Sequence, residues 1–591
     1  MEPTEPEKSF IDCLTTGKLH DLIPSLSADQ HITKNLVDGW GIRHDISADS
    51  IRNVLRGKYL IRGEVDARGI RIRGARIVGR LDLADIESRI PVELTNCYIP
   101  DGIHGTACHL ARLNLSHSII ESSAADTTTL SLDDARIDGQ LKLTGTTLIN
   151  HDGPALNADR LSVGSDMLLD NSFVAEGTGD RGVICLTGAK IDGQLNFNNA
   201  TLTSDDGPAL SADLLSVGSD MSLDNSFVAK GTSKRGVVRL TGAKIDGQLN
   251  LNNATLTSDD GPALSADRLS VGSSVFLDGN FNATGNGDKG TIRLLGAKIE
   301  GQLSLNNATL INHAGPALIA NRIFVASDMF LDGTFKATGN SNEGTIRLQH
   351  AAIGLLHIPA NVINISTCED TLAVPKVSSS NKLNGKIPDI SSSPKWAIDG
   401  LLYTGYPTKN PEDWLNLLQK GTVEYAAQPY QQLAKNARAA GHDGEERRIL
   451  IAQRNDQLKR GNPGRRAKSW GYFTKYAVGY GYLSWLPLAW LAFIFLLTLA
   501  TTVWWLPGGL ATVDSFSKLG FSPQCSISER FQVAIDTVIP LVSTGVEHIC
   551  KVNPRTQSGN QLAFILFFFK AVSWALVTLF IAGFTGIIRK N

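Results

Sequence analysis

The chain has 591 residues, is 42% hydrophobic and carries a formal net charge of −2. That length exceeds a single hydrophobic core, so several domains are expected. The near-neutral charge lacks the footprint of a nucleic-acid binder, and no nucleic-acid partner is expected. The cysteines contain no CxxC pair of the kind used for zinc or thiol redox chemistry.

The N-terminus, Met1 to Lys8, lacks a positive region followed by an apolar stretch, so it reads as no signal peptide. Residues 1–60 read as a helical cap on the repeat array that follows.

Residues 61–368 carry an internal repeat. Gly139-Gln140-Leu141 recurs as Gly193-Gln194-Leu195, Gly247-Gln248-Leu249 and Gly301-Gln302-Leu303, a step of 54 residues each time. A fixed period of that kind marks a solenoid. Alanines stand at 135, 158, 189, 212, 243, 266, 297, 320 and 351, with spacings that alternate 23, 31, 23, 31. This divides each unit into a shorter and a longer half. Short apolar alternations such as Ile191, Leu195, Phe197 and Leu202, broken by Gly, Asn and Asp, read as strands. The fold class expected is mainly β: a right-handed parallel β-helix whose coils rise about 4.8 Å each.

The repeat loops Gly177-Thr178-Gly179-Asp180-Arg181-Gly182 and Gly285 to Gly290 spell GxGxxG. A dinucleotide site needs that motif to open a helix, and here no helix follows, so the loops read as repeat loops and no cofactor is expected. Gly153-Pro154 and its three copies read as turns. Asp138, Asp192, Asp246 and Glu300 form one column, beside Lys190, Lys244 and Lys298 with Arg136 below them. A carboxylate column has the oxygen chemistry of a calcium site. The adjacent basic column neutralises it, so a solvated charged face is the preferred reading and no metal is assigned. Asn198, Asn252 and Asn306 have the spacing of an amide ladder. The histidines do not cluster, and no nucleophile-base pair or isolated acid pair is visible, so no catalytic residue is assigned.

Residues 369–396, with two triple-serine runs and several prolines, read as a linker. Residues 397–475 read as a connector holding a helical hairpin. Its first helix starts at Pro429 and stops at Gly441, and its second covers about 443–460.

Residues 476–591 read as a membrane domain. Trp485 to Leu506 and Leu562 to Ile588 are long and apolar enough to span a bilayer, the second interrupted by Lys570. Arg465, Arg466, Lys468 and Lys475 precede the first span, and Arg589 and Lys590 follow the second. The positive-inside rule then places both termini and the solenoid in the cytoplasm, with loop 507–561 outside an inner membrane. Ser526 and Glu529 have capping-box spacing ahead of an apolar stretch, Phe531 to Val542. Two readings stay open for it. It is a helix lying on the outer surface, or a re-entrant pore element with Thr537, Ser543, Thr544 and Gly545 as the pore segment. The potassium-filter Gly-Tyr-Gly run is missing there. Cys525 and Cys550 bracket the segment and are disulfide candidates if the loop is outside.

Four stretches carry a resemblance: Gln428-Pro429-Tyr430-Gln431-Gln432-Leu433, Ala440-Gly441-His442-Asp443, Arg448 to Gln453, and Ala582-Gly583-Phe584-Thr585-Gly586. They are similar to a group of actinobacterial membrane proteins. The resemblance implies a pentapeptide-like solenoid in front of two C-terminal spans. Some members are called membrane-associated oxidoreductases, yet no residue here supports redox chemistry. The function expected is a membrane-tethered scaffold that is not an enzyme, with membrane lipid and an unidentified protein as partners. An oligomeric two-span channel is the first alternative, which makes a homo-oligomer. A membrane-associated oxidoreductase is the second.

Overall fold

Apolar alternations of two to four residues cannot sustain long strands, and the Gly, Asn and Asp between them favour corners. The computed structural model, which describes residues 5–27, 30–58, 65–122, 128–340, 342–358, 394–406, 411–483, 485–513, 524–539 and 541–584, follows that pattern. It is a parallel β-solenoid of about 11 turns followed by C-terminal helices. A typical coil has four short strands: Ile184–Cys185, Lys190–Ile191, Leu195–Asn196 and Thr201–Ser204. Stacking gives two sheets of 12 strands and one of 23, whose registered pairs are parallel throughout.

The register explains the repeat. Arg136 pairs with Ser162 in the next coil, and Ser162 pairs with Lys190 in the coil after that. Lys190 is therefore the counterpart of Arg136 one full period on, and two coils make one 54-residue unit. The alanine spacings of 23 and 31 are not coil lengths, because the alanines occupy two different positions. In one coil the corner reads Leu132…Ala135; in the next, Ala158…Leu161; then Leu186…Ala189 and Ala212…Leu215. The exchange continues to Leu348…Ala351, and all of these side chains are buried. Each large side chain stacks on a small one above and below, which keeps the interior close-packed.

The corners demand left-handed backbone. One column alternates Gly188, Gly242 and Gly296 with Arg160, Leu214, Arg268 and Arg322, all near φ +60°. A second is built mainly from asparagine, including Asn171, Asn199, Asn225 and Asn253, which tolerates that region. Asn198, Asn252 and Asn306 do not form a side-chain ladder. They sit two coils apart, and each Oδ1 accepts from the backbone N–H of an aspartate in the coil that follows it: Asp224, Asp278 and Asp332 at 3.2, 2.8 and 3.1 Å.

The N-terminal cap is less helical than its composition suggests. Helices Glu5–Thr16, Lys34–Asp38 and Ala48–Leu55 are present. Two strands join the stack: His20–Asp21 pairs with Ile72–Arg73, and Asp45–Ser47 with Arg76–Val78. The buried Arg73 fastens the cap, donating to Asp21 at 3.0 Å and to the carbonyls of Leu26 and Ser27. At the other end, Trp396–Ala397 and Leu402–Tyr403 pair with Ile346–Arg347 and Ala352–Ile353. The solenoid thus takes in residues expected to belong to the connector. Of the expected linker, residues 369–393 lie outside the described residues.

The chain divides into two compact units, Met1–Ala440 and Gly441–Asn591, a boundary inside the expected hairpin. Both hairpin helices exist, at Ala427–Ala439 and Asp443–Arg460. The second unit adds a helix that sequence reading treated as a mere basic flank, Arg465–Val478. Among the described residues, two helices are long and apolar enough to cross a membrane, Leu486–Trp505 and Gln557–Ala582. The first ends in a π-turn at Thr501–Trp505. Residues 585–588 of the expected second span lie outside the described residues.

Candidate functional site

Two features of repeated or converging chemistry stand out, one in each unit. On the solenoid, the four carboxylates of the expected column each pair with the cation two residues earlier in their own coil. Arg136 meets Asp138 at 2.8 Å, Lys190 meets Asp192 at 2.8 Å, Lys244 meets Asp246 at 2.8 Å and Lys298 meets Glu300 at 2.6 Å. His109 Nε2 also lies 2.8 Å from Asp138 Oδ2. Arg136 and His109 hold the Asp138 carboxyl below the usual aspartate range. Because the column repeats every second coil, glycines 164, 218 and 272 stand between the acids, where a Cβ would come within 2.3 Å of the carbonyl oxygens of Asp138, Asp192 and Asp246. Neighbouring acids are therefore two strand spacings apart, too far to share one ion at about 2.3–2.6 Å. The result is a flat, exposed, charge-balanced face.

A second aspartate column, which sequence reading missed, fixes the corner that leads into strands Ser162–Val163, Ser216–Val217 and Ser270–Val271. Asp159, Asp213 and Asp267 accept the backbone N–H of Thr187, Thr241 and Leu295 at 2.8, 3.0 and 3.2 Å. Each also pairs with an arginine: Arg181, Arg239 and Arg293. The motif Ala-Asp before a left-handed residue, at Ala158-Asp159, Ala212-Asp213 and Ala266-Asp267 with Asn321 in the fourth place, was the available signal. The GxGxxG loop at 177–182 runs from strand Val174–Gly177 directly into strand Ile184–Cys185 and opens no helix.

Three cysteines of the solenoid are buried. Burial raises Cys97, Cys108 and Cys185 to about 12, so the reactive thiolate is scarce at neutral pH. At the C-terminal end of the first unit a cavity of about 280 Å³ is lined by Glu343, Trp396, Asp399, Glu424, Tyr425 and Tyr430 among others.

In the second unit the converging chemistry surrounds helix Ile527–Val538. Its capping box is formed: Glu529 N donates to Ser526 Oγ at 3.4 Å, and Ser526 N to Glu529 at 2.7 Å. Cys525 and Cys550 are joined as a disulfide with Cα atoms 6.0 Å apart, beside an antiparallel pair, Leu510–Thr512 with Cys550–Val552. Arg530, which sequence reading passed over, is buried one turn into the helix. It donates to the carbonyls of Cys525 at 3.0 Å, Thr502 at 2.5 Å and Pro507 at 3.0 Å. The guanidinium thus caps the C-terminal end of the first apolar helix, where free carbonyls and the helix dipole favour a cation.

From there the helix runs inward along both apolar helices. Phe531 meets Phe495 edge-on with ring centroids 5.3 Å apart. Val538 packs in one cluster with Ile494 and Leu576. Ile494 lies eight residues before Thr502, a drop of about 12 Å along the helix, which is close to its middle. The pore-segment candidates divide. Thr537 is buried, and its hydroxyl donates back to Val533 O at 2.7 Å. Ser543 and Thr544 are exposed, and Gly545 has φ 77°. Thr544 is tied to Asp536, its N–H at 2.8 Å and its hydroxyl at 2.9 Å. Asp536 therefore organises the return of the chain, a role that spacing alone did not reveal.

No family model, curated protein or solved structure matches the chain.

Proposed function

We propose that this protein is a membrane-tethered scaffold: a solenoid held at an inner membrane by two spans, offering a regular ion-paired face to a protein partner. The observation that carries this reading is the repetition of the face. From Arg136 to Glu300 the same exposed cation-acid pair recurs every second coil, level with its neighbours and self-neutralised. Such a surface suits an extended contact, since repeat arrays offer long binding faces rather than one pocket. The basic residues at 465–475 and 589–590 favour a cytoplasmic solenoid and both termini inside. The solenoid-plus-two-spans order also supports membership of the actinobacterial group that the chain resembles. The test is site-specific photocrosslinking in cells from positions 162, 216 and 270, whose serines pair in register with the three lysines on the same face. A discrete adduct that disappears on K190E/K244E/K298E supports the scaffold. No adduct from any of the three sites contradicts it.

A second reading, an oligomeric pore, is favoured by one observation. Helix Ile527–Val538 reaches the middle of the first apolar helix and packs in one cluster with Leu576, past the midpoint of the second, instead of stopping at their ends. A span, a descending short helix with a Gly-containing return, and a second span form the layout of a two-helix pore. In that reading Thr544, Asp536 and Gly545 border the permeation path, and T544V changes conductance in bilayer recordings. A scaffold tolerates the same substitution.

A further inference from the structure

The helix Arg465–Val478 is amphipathic in an unusual sense, because one of its faces combines cations with aromatic rings. Its inner face is fixed by Gly471. A Cβ there would lie 2.5 Å from Leu458 Cδ2, so the helix packs closely on Asp443–Arg460 at this point. At about 100° per residue, Arg465, Arg466, Ser469, Trp470, Phe473 and Tyr476 all fall on the side away from Gly471. Five of these six line one open groove. Trp470, Phe473 and Tyr476 are 66%, 54% and 63% exposed, which is a large aromatic area to leave in water. Arg465 and Arg466 have no carboxylate partner among the described residues. They stand at the helix N-terminus, where Gly464 provides no side-chain cap.

The position of this face relative to the first span follows from a hydrogen bond. Trp490 Nε1, one turn into helix Leu486–Ala500, donates to Tyr476 O at 2.9 Å. The aromatic face thus sits level with the start of the apolar helix. Tyrosine and tryptophan concentrate at that depth in membrane proteins, with basic residues meeting anionic headgroups beside them.

We propose that this face lies on the membrane leaflet from which the first span is entered, and that Arg465 and Arg466 hold the phosphate of an anionic phospholipid. The aromatic rings enter the headgroup-acyl boundary, while the two guanidiniums and the uncapped N–H groups of the first turn meet the phosphate oxygens. The inference rests on the two-span reading and adds a lipid class to it.

The test uses the full chain in mixed micelles of phosphatidylglycerol and phosphatidylcholine, with retained lipids counted by native mass spectrometry. Retention of phosphatidylglycerol over phosphatidylcholine is expected for the wild type. R465Q/R466Q should lower that preference by about fivefold for each guanidinium lost, some 25-fold together. The control K234Q/K289Q, which removes the same charge from exposed loops of the solenoid, should leave it unchanged. R465K/R466K should keep the preference within about threefold. A wild type without preference, a preference unaffected by R465Q/R466Q, or an equal loss in the lysine variant would each overturn the proposal. Failure of the wild type to fractionate with membranes is a separate result and would overturn the two-span reading itself.

Discussion

Exchange of leucine and alanine between adjacent coils makes a quantitative prediction about Leu240 and Ala243. Leu240 stacks between Ala212 and Ala266, and Ala243 between Leu215 and Leu269, all buried. Leu240→Ala leaves three alanines in succession and a void, with an expected cost of about 3–5 kcal/mol. Ala243→Leu places three leucines in succession and should cost about 1–3 kcal/mol by overpacking. The informative variant is the double one, L240A/A243L, which conserves volume within its own coil. If packing were settled coil by coil, the pair would compensate to within about 1.5 kcal/mol. Here both defects lie between coils, so the double variant should cost at least as much as Leu240→Ala alone. Hydrogen exchange across residues 236–272 of the full chain reads this directly. A loss of about 3 kcal/mol accelerates exchange by roughly 150-fold where opening is the limiting equilibrium. Near-wild-type protection in the double variant would refute the alternation as the source of the two-coil period.

Four further outcomes follow from the same structure. Removing the Cys525–Cys550 bridge by C525S should cost the second unit about 3–4 kcal/mol, from a sequence separation of 25 residues, read as a lower thermal midpoint in detergent that added reductant does not lower further. Arg530→Met should destabilise the same unit by at least about 2 kcal/mol because three carbonyls lose their donor, and Arg530→Lys should restore little, since one ammonium cannot match that fork; thermal unfolding with a probe near Trp504 checks both. Burial lowers the His20 pKa below its ordinary 6.5, so the neutral ring belongs to the folded cap. Stability should be constant above that pH and fall as pH drops from 6.5 towards the folded value, by up to about 1.4 kcal/mol per unit; H20Q should flatten the decline in limited proteolysis of residues 5–27. Millimolar calcium should leave the thermal midpoint of the solenoid unchanged, and so should D192N, because each acid already has its own cation; a calcium-dependent rise would reinstate the column as a metal site.

Much of the solenoid was legible in the sequence because its determinants are local and repeated. The recurring Gly-Gln-Leu, the corner asparagines and the alternating apolar residues all report the same coil. The alanine spacings misled because two coil positions share one residue type, and only the pairing of Arg136 with Ser162 separates them. The two short strands of the cap, His20–Asp21 and Asp45–Ser47, are formed by pairing with distant coils, a tertiary effect that composition does not carry. In the second unit the capping box at Ser526 and the cysteine pair were visible from spacing. The depth of helix Ile527–Val538 was not, because it depends on Val538 meeting Ile494 and Leu576 across long sequence separations. Arg530 was invisible for the same reason: an arginine in an amphipathic helix reads as solvated until its three carbonyl partners are known.

The choice between the scaffold and the pore turns on how many chains assemble. Light scattering of the full chain in detergent, with the detergent contribution subtracted, gives that mass against 63.5 kDa for one chain. The scaffold account predicts a monomer, since two spans and one descending helix anchor a solenoid without help. A discrete tetramer or pentamer would contradict it and transfer the case to the pore.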